Sequence, residues 1–596
     1  MPFGAELRGD RARFRLWAPA SAAVTLLLGD ARGHREVAMQ PLADGWHGTS
    51  VEGLADGTPY AYRVDGGPAV PDPASRRQPW DVNGPSALVD ARAFDWPDDG
   101  WAGRPWREAV VYELHVGAFT AEGTCRAAAE KLDHLAALGV TAVELMPLAD
   151  FPGRRNWGYD GALPFAPDSA YGPPEDLKRF VARAHARGLM VLLDVVYNHF
   201  GPEGNHLARY APQFFNAAHA TPWGAAVNFD GEGARTVRDF FVHNALYWVQ
   251  EYHLVGLRMD AVHAIADDSP THIAAEIARA LAAGPGRDRH VHLVLENDRN
   301  EARLLRGAGA ATAQWNDDWH HAAHVLATGE TDGYYGDSAA RPAHHLGRAL
   351  AVGFAWLGEP SAHRLLAARG EPSAGLPPLA FVPFLQNHDQ VGNRALGERI
   401  AALAPPEALR LATAALLLAP SIPLLFMGEE FAASSPFLYF CDFHGELAQA
   451  VREGRRREFA SFARFRDPQL RGRIPDPGAE STFLRSKLRW EECAVAPHAQ
   501  WLALHRELLA LRARRIVPHL EGDGFGARFE TRGAAGLAVD WTLGDGARLH
   551  LRANFSGEAL EGLPRAAGEA LHAEGAAPPS GERWPPWSGA WTIEDP

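Results

Sequence analysis

The sequence predicts an α/β protein: a (β/α)8 (TIM) barrel with an N-terminal β-sandwich and a small C-terminal β-domain. Three observations predict it. Between residues 109 and 430, eight near-continuous apolar runs alternate with helical patterns. Parallel strands buried on both faces read this way. Residues 1–90 instead alternate polar and apolar positions in short segments split by Gly, Asp and Pro, and that texture returns beyond about residue 520. Finally, polar residues gather at the C-terminal ends of several apolar runs, where such a barrel assembles its site.

Taken in order, FRLWAPA (14–20), AVTLLL (23–28), GWHGTSV (45–51) and YAYRVDG (60–66) supply the sandwich. Residues 71–90, PDPASRRQPWDVNGPSALVD, are rich in turn formers and read as a linker. AVVYEL (109–114) is the first barrel strand. CRAAAEKLDHLAALG (125–139) follows as a helix with Gly139 past its end. TAVELMPL (141–148) is the second strand. PPEDLKRFVARAHARG (173–188) is a helix opening on proline, and LMVLLDVVYNH (189–199) is the third strand. A long helical pattern at 234–254 leads into GLRMDAVH (256–263), the fourth. THIAAEIARALAAG (271–284) leads into HVHLVLEN (290–297), the fifth. ATAQWN (311–316), LAFVPFLQNHD (379–389) and IPLLFMGEE (422–430) supply strands six to eight, and QWLALHRELLALRARR (500–515) a last helix. The expected domains are residues 1–90, 91–520 and 521–596. Long insertions after strands two, three and eight fall on the functional face.

Composition narrows the function. The chain of 596 residues is 46% hydrophobic and 22% charged, enough for a large core. Its net charge is −15 and its arginines are scattered, which excludes the basic footprint that nucleic acid requires. The longest apolar run, 411–428, is broken by Pro420 and Pro423, and the N-terminus has no apolar signal core. The expectation is a soluble, cytoplasmic protein without membrane contact. Cys125, Cys441 and Cys493 are too few and too scattered for a disulfide framework or a zinc site. No metal and no cofactor is expected. An aromatic content of 10%, including 18 Trp, suits stacking on flat apolar faces such as sugar rings, although most of these rings belong in cores.

Strand three ends in Asp194, Asn198 and His199. Strand four ends in Arg258, Asp260 and His263, strand five in Glu296, and strand seven in His388 and Asp389. Any one of these reads as a loop cap or an ion pair. Three carboxylates from strands four, five and seven, gathered with an Arg and two His, repel one another and are costly to assemble for stability alone. Adjacent strands lie roughly 4.8 Å apart. Asp260 and Glu296 are therefore expected about 5–5.5 Å apart, the separation of a retaining glycosidase. Arg258 would keep Asp260 ionised as the nucleophile. Glu296, flanked by Leu293 and Leu295 in a less charged setting, would hold the proton of a general acid/base. Asp389 would grip sugar hydroxyls and support an oxocarbenium-like transition state.

DVVYNH (194–199), GLRMDAVH (256–263), LVLEN (293–297) and FLQNHD (384–389) resemble the four motifs of the α-amylase family of glycoside hydrolases. The resemblance spans all eight strands and is specific in combination. It implies Asp260 as nucleophile, Glu296 as acid/base and Asp389 as transition-state stabiliser. It also implies that Asp194, His199, Arg258 and His388 line the subsite of the attacked sugar, with Tyr159 of WGYD stacked on it. His263 joins this substrate-binding set from its strand end. The sandwich and the stretches 156–172, 221–231, 314–330, 386–400 and 426–447 resemble a branch of that family that cuts the α-1,4 bond next to a terminal trehalose. The implied substrate is maltooligosyltrehalose or another α-1,4-glucan, and the implied pathway partner is maltooligosyltrehalose synthase. One departure falls after the acid/base. A small residue followed by Asp-Leu is expected there, and Asn297, Asp298 and Arg299 stand instead.

Two other readings compete. A glycogen-branching enzyme shares the sandwich and the barrel motifs, and passes the sugar to another glucan instead of water. A glycogen-binding scaffold would lack turnover, but gains nothing from a complete catalytic set. Asp317, Asp318, His320 and Glu398 are candidates for recognising the trehalose end. The His320–His321 pair reads as polar lining rather than a metal site.

Overall fold

The computed structural model describes residues 1–98, 100–221, 224–459, 467–576 and 583–596. Pro222 and Trp223, inside the 221–231 stretch, lie outside the described residues.

The barrel strands are β1 (Val111–Leu114), β2 (Ala142–Leu145), β3 (Met190–Val195), β4 (Gly256–Met259), β5 (His292–Leu295), β6 (Ala313–Trp315), β7 (Phe381–Val382) and β8 (Leu424–Phe426). They pair in parallel in the order β7-β6-β5-β4-β3-β2-β1-β8. A bridge between Phe384 and Leu424 links the two ends of this sheet. Gly256 opens β4 because a Cβ there would meet the His292 carbonyl at 2.5 Å.

Side chains alternate along each strand, and the two faces enter different clusters. Val111, Ala142, Leu192, Val294, Ala313 and Trp315 pack together inside the barrel. Tyr112, Val143, Leu193, Leu257, Met259 and Leu295 pack into the outer core. The period of two then assigns the polar residues. Glu113, Glu144, Asp194, Arg258, Asp260 and Glu296 fall in the inward phase, near the C-terminal ends of five adjacent strands.

The amphipathic segments form helices largely as expected, including Pro174–His185, Ala234–Glu251, Ile273–Ala283 and His498–Arg515. The 125–139 segment differs. It is two helices, Cys125–Ala129 and Leu132–Leu138, the second closed by Gly139 at φ 103°. The 411–428 run divides at its prolines between the helix Pro406–Leu417 and β8. No helix among the described residues is long and apolar enough to cross a membrane.

The N-terminal region forms a four-stranded and a five-stranded antiparallel sheet, and the C-terminal region a five-stranded sheet. The 71–90 segment is not the free linker expected from its turn residues. Its Ser86–Ala87 strand pairs with Pro59–Tyr60, and buried Asp72 accepts hydrogen bonds from the hydroxyls of Tyr60 and Tyr62. Arg76 lies against the rings of Phe165 and Tyr247, 4.5 and 4.2 Å from their centroids, and donates to the Phe3 carbonyl. The turn residues shape a strap that joins the sandwich to the barrel.

Candidate active site

Arg258 is the centre of the site and is wholly buried. Its guanidinium contacts three carboxylates: Asp194 at 2.6 Å, Asp260 at 2.9 Å and Glu296 at 3.0 Å. Parallel register explains the convergence. Asp194 pairs with Arg258 across β3 and β4, and Met259 pairs with Leu295 across β4 and β5, so Asp260 and Glu296 leave neighbouring strands together. Ala261 then turns into the left-handed region at φ 40°, a strained conformation for a residue with a Cβ. Its N–H donates to Glu296 Oε2 at 2.8 Å.

The electrostatics differ from the sequence expectation. Glu296 does not sit in a less charged setting. Burial pushes its carboxyl up, but Arg258, His263 and the Ala261 N–H outweigh burial and hold it below its usual value. Burial and the adjacent Glu296 carry Asp260 well above the usual carboxylate range, against the pull of Arg258. The physical reason is that Arg258 serves both carboxylates rather than Asp260 alone. Leu293 and Leu295 point to the outer core and do not wall off Glu296.

His388 and Asp389 follow β7 not as its end but as the first turn of the helix His388–Gly392, capped by the Asn387 side chain. His388 Nε2 lies 3.5 Å from Asp389 Oδ1. Asp389 accepts from Asn393 Nδ2 at 2.9 Å, and burial raises its carboxyl while His388 opposes that rise. The Tyr159 hydroxyl donates to Asp194 at 2.5 Å, and its ring stacks on His388 at 4.9 Å. One face of the ring therefore meets an imidazole. His199 donates its Nε2–H to the Tyr159 carbonyl at 2.9 Å and so sets the loop that carries Tyr159. Asn198 is buried with neither atom of its amide hydrogen-bonded to a described residue.

Glu296 and Asp389 open onto a cavity of about 480 Å³, also lined by His263, Asp298, Asp317, Tyr334, Arg369 and Glu398. Of the residues considered for the far side of the cut, Asp317 and Glu398 reach this cavity. Asp318 and His320 do not. Asp318 is buried, accepting from the N–H groups of Ala355 and Trp356 and from Asn300 Nδ2, with Arg369 at 2.7 Å. His320 donates to the Leu385 carbonyl at 2.8 Å and lies 3.0 Å from the Tyr335 hydroxyl. Asp298, in the segment that departs from the motif, pairs with Arg364 at the cavity wall.

Sequence reasoning missed Glu113, Tyr334, Arg369 and Arg394. Only Glu113 carried a signal, a carboxylate inside an otherwise apolar strand. Tyr334 and Arg369 lie in a 3-10 turn, Gly333–Tyr335, and a two-residue strand, Ala368–Arg369, and Arg394, which also lines the cavity, in the turn after His388–Gly392; none is long enough to show a periodicity. Among the described residues, His219, Asp230 and Asp268 come close enough to suggest a metal. Two of the three are bonded to each other: His219 Nε2 bonds Asp230 Oδ2 at 2.9 Å, and that oxygen also accepts the Asp268 N–H, while the Asp268 carboxylate is exposed.

Comparisons with known proteins agree with this architecture. A family model for the alpha amylase catalytic domain matches residues 95–242. Carbohydrate-binding module 48 (isoamylase N-terminal domain) matches residues 2–76, and a domain of unknown function, DUF3459, matches residues 524–591. The chain is 43% identical to a malto-oligosyltrehalose trehalohydrolase of Rhizobium sp. (strain M-11), over 86% of each chain. It is 41% identical to one of Deinococcus radiodurans, over 91% of this chain and 89% of that one. A crystal structure from Salmonella typhimurium, described as an alpha amylase, superposes with a TM-score of 0.93 at 46% identity, covering 100% of this chain and 99% of the other. The fold, the convergent carboxylates and this full-length likeness agree that the chain is a glycoside hydrolase of the α-amylase type and belongs to the malto-oligosyltrehalose trehalohydrolase family.

Proposed function

We propose that this enzyme hydrolyses the α-1,4-glucosidic bond next to the terminal trehalose of maltooligosyltrehalose and releases trehalose, with retention of configuration. The observation that carries the chemistry is one buried arginine shared by Asp260 and Glu296, with Glu296 and Asp389 opening onto the same cavity. In the first step the Asp260 carboxylate attacks the anomeric carbon. The bond to the glycosidic oxygen breaks, and Glu296 gives that oxygen its proton, leaving a glucosyl ester on Asp260. Water then attacks the same carbon, Glu296 takes its proton, and the Asp260 carboxylate is restored.

In the free enzyme Glu296 is ion-paired, which is the wrong state for an acid. A leaving sugar seated beside it would displace it from Arg258 and the Ala261 N–H. Burial then meets less opposition and raises its proton affinity. Arg258 is left to Asp194 and Asp260, which favours the ionised nucleophile. Asp389 steadies the charge that develops on the sugar ring. Tyr159, Asp194, Arg258, His263 and His388 shape the subsite of the attacked sugar, and His199 supports it through the Tyr159 backbone.

The substrate preference rests on the full-length likeness to trehalohydrolases and on the polar cavity beyond Glu296. The test is kcat/KM on maltotriosyltrehalose against maltopentaose, with product analysis. A ratio well above one with free trehalose is expected. A ratio near one, or α-1,6 branches formed in amylose, would instead indicate a general amylase or a branching enzyme. The enzyme that supplies such a substrate would be maltooligosyltrehalose synthase. The three free cysteines suit a reducing cytoplasm.

A further inference from the structure

Among the site's charged groups, Glu113 on β1 has no part in the steps above. We propose that Glu113 is a positioning residue that holds His388 as an oriented imidazolium beside Asp389. The inference rests on the role given to Asp389 in the proposed function.

Both oxygens of Glu113 are committed to one residue. Oε2 accepts the backbone N–H of His388 at 3.0 Å, and Oε1 lies 2.5 Å from its Nδ1. Each side chain is 1% exposed. A carboxylate on Nδ1 fixes an N–H there and turns Nε2 toward Asp389. The ring cannot rotate away, because Tyr159 stacks on it and the edge of Trp157 meets it at 5.4 Å. Burial alone would strip the imidazole of its proton, but Asp389 and Glu113 outweigh burial and raise it to about 9.

Groups from the neighbouring strands also act on this ring. Arg258 of β4 opposes the charge, and His115, just past β1, is itself driven down to about 4 by burial. Asp194 and Glu296 stand on the acidic side. Glu144, paired with Glu113 across β1 and β2, is pushed well up by burial and by Glu113. It therefore does not compete for the cation. A fixed positive charge beside Asp389 opposes the rise that burial imposes on that carboxyl.

The test compares Glu113→Gln and Glu113→Asp with the wild type. Gln keeps an acceptor for the His388 N–H but loses the charge, whereas Asp keeps the charge. In Glu113→Gln, kcat should fall at least about 100-fold with KM within a factor of about two, as for loss of a transition-state interaction. The basic limb of kcat/KM should move down by at least about one pH unit. Glu113→Asp should restore the limb even if its rate is low. Independently, the histidine ring resonance that disappears in His388→Gln should titrate well above neutrality in the wild type and clearly lower in Glu113→Gln. An unmoved pH limb and an unmoved ring titration in Glu113→Gln would overturn the proposal. Full activity of Asp389→Asn would remove the functional reading of Asp389, while the ring titration would still decide the role of Glu113.

Discussion

The guanidinium of Arg258 lies 4.0 Å over the ring of Trp315. The stack holds the cation flat, so that one planar fork can serve Asp194, Asp260 and Glu296. A lysine has one charged atom and no plane to stack. Arg258→Lys should therefore lose at least about 100-fold in kcat/KM, the scale of one preorganised electrostatic partner. A variant within tenfold of the wild type would mean that the fork geometry is dispensable.

Asp260→Ala should lose nearly all turnover while its circular dichroism and melting temperature stay close to the wild type. Glu296→Gln should fail on natural substrates but react with activated ones, whose leaving group needs no proton. Added azide should then yield a glycosyl azide of retained configuration. An inverted product would remove Asp260 as the covalent nucleophile.

The same variant makes a prediction in pH. After burial, Glu296 is the largest cause of the raised Asp260 carboxyl. As the proposed nucleophile, Asp260 has to be ionised to attack, so a raised value places the acid limb above the ordinary carboxylate value of about 4. Without the Glu296 charge, Asp260 ionises more readily. The acid limb of the azide-rescued Glu296→Gln reaction should therefore lie below that of the wild type. A limb displaced upward would assign it to another group.

Asp317 and Asp318 are adjacent in sequence and should separate in function. Asp317 faces the cavity and binds Gln390 Nε2 at 3.2 Å, and burial and Glu296 push its carboxyl well up. A neutral Asp317 can donate to a sugar oxygen. Asp317→Ala should lower the preference for maltotriosyltrehalose over maltopentaose about tenfold or more. Asp318→Ala leaves the Ala355 and Trp356 N–H groups unpaired, and should lower the melting temperature instead. Equal effects of the two variants on the substrate ratio would contradict this division.

Arg76→Ala should destabilise the fold by about 2–3 kcal/mol, from two desolvated ring contacts and one lost hydrogen bond. Denaturant unfolding measures the loss, and limited proteolysis should cut the sandwich first. Arg76→Lys should not restore stability, since the planar stack is lost.

The barrel and the cluster at its strand ends were legible because apolar runs and period-two alternation are local signals. DVVYNH and GLRMDAVH each place their charges within a few residues of the strand, so Asp194, Arg258 and Asp260 could be located. The protonation of Glu296 could not be read from its flanking leucines, because the deciding neighbour, Arg258, lies on another strand. The partner of His388 was hidden for the same reason, since Glu113 stands at the far end of the barrel sequence. Asp318 and His320 misled because a polar residue near a strand end looks alike whether it faces a cavity or a buried turn. The 71–90 segment looked like a linker because composition reports turns, not what the turns pack against.

The Arg76 strap also constrains the order of events during synthesis. The ribosome releases the sandwich first, but of the rings that receive Arg76, Phe165 emerges only after β2 has been made and Tyr247 only after β3. A nascent sandwich therefore waits with an unsheltered cation and cannot seat itself until the growing barrel reaches the helix that carries Tyr247. Rare codons or pauses placed between these points should lengthen that wait. The N-terminal region would then be the part of the newborn chain most open to proteases and chaperones.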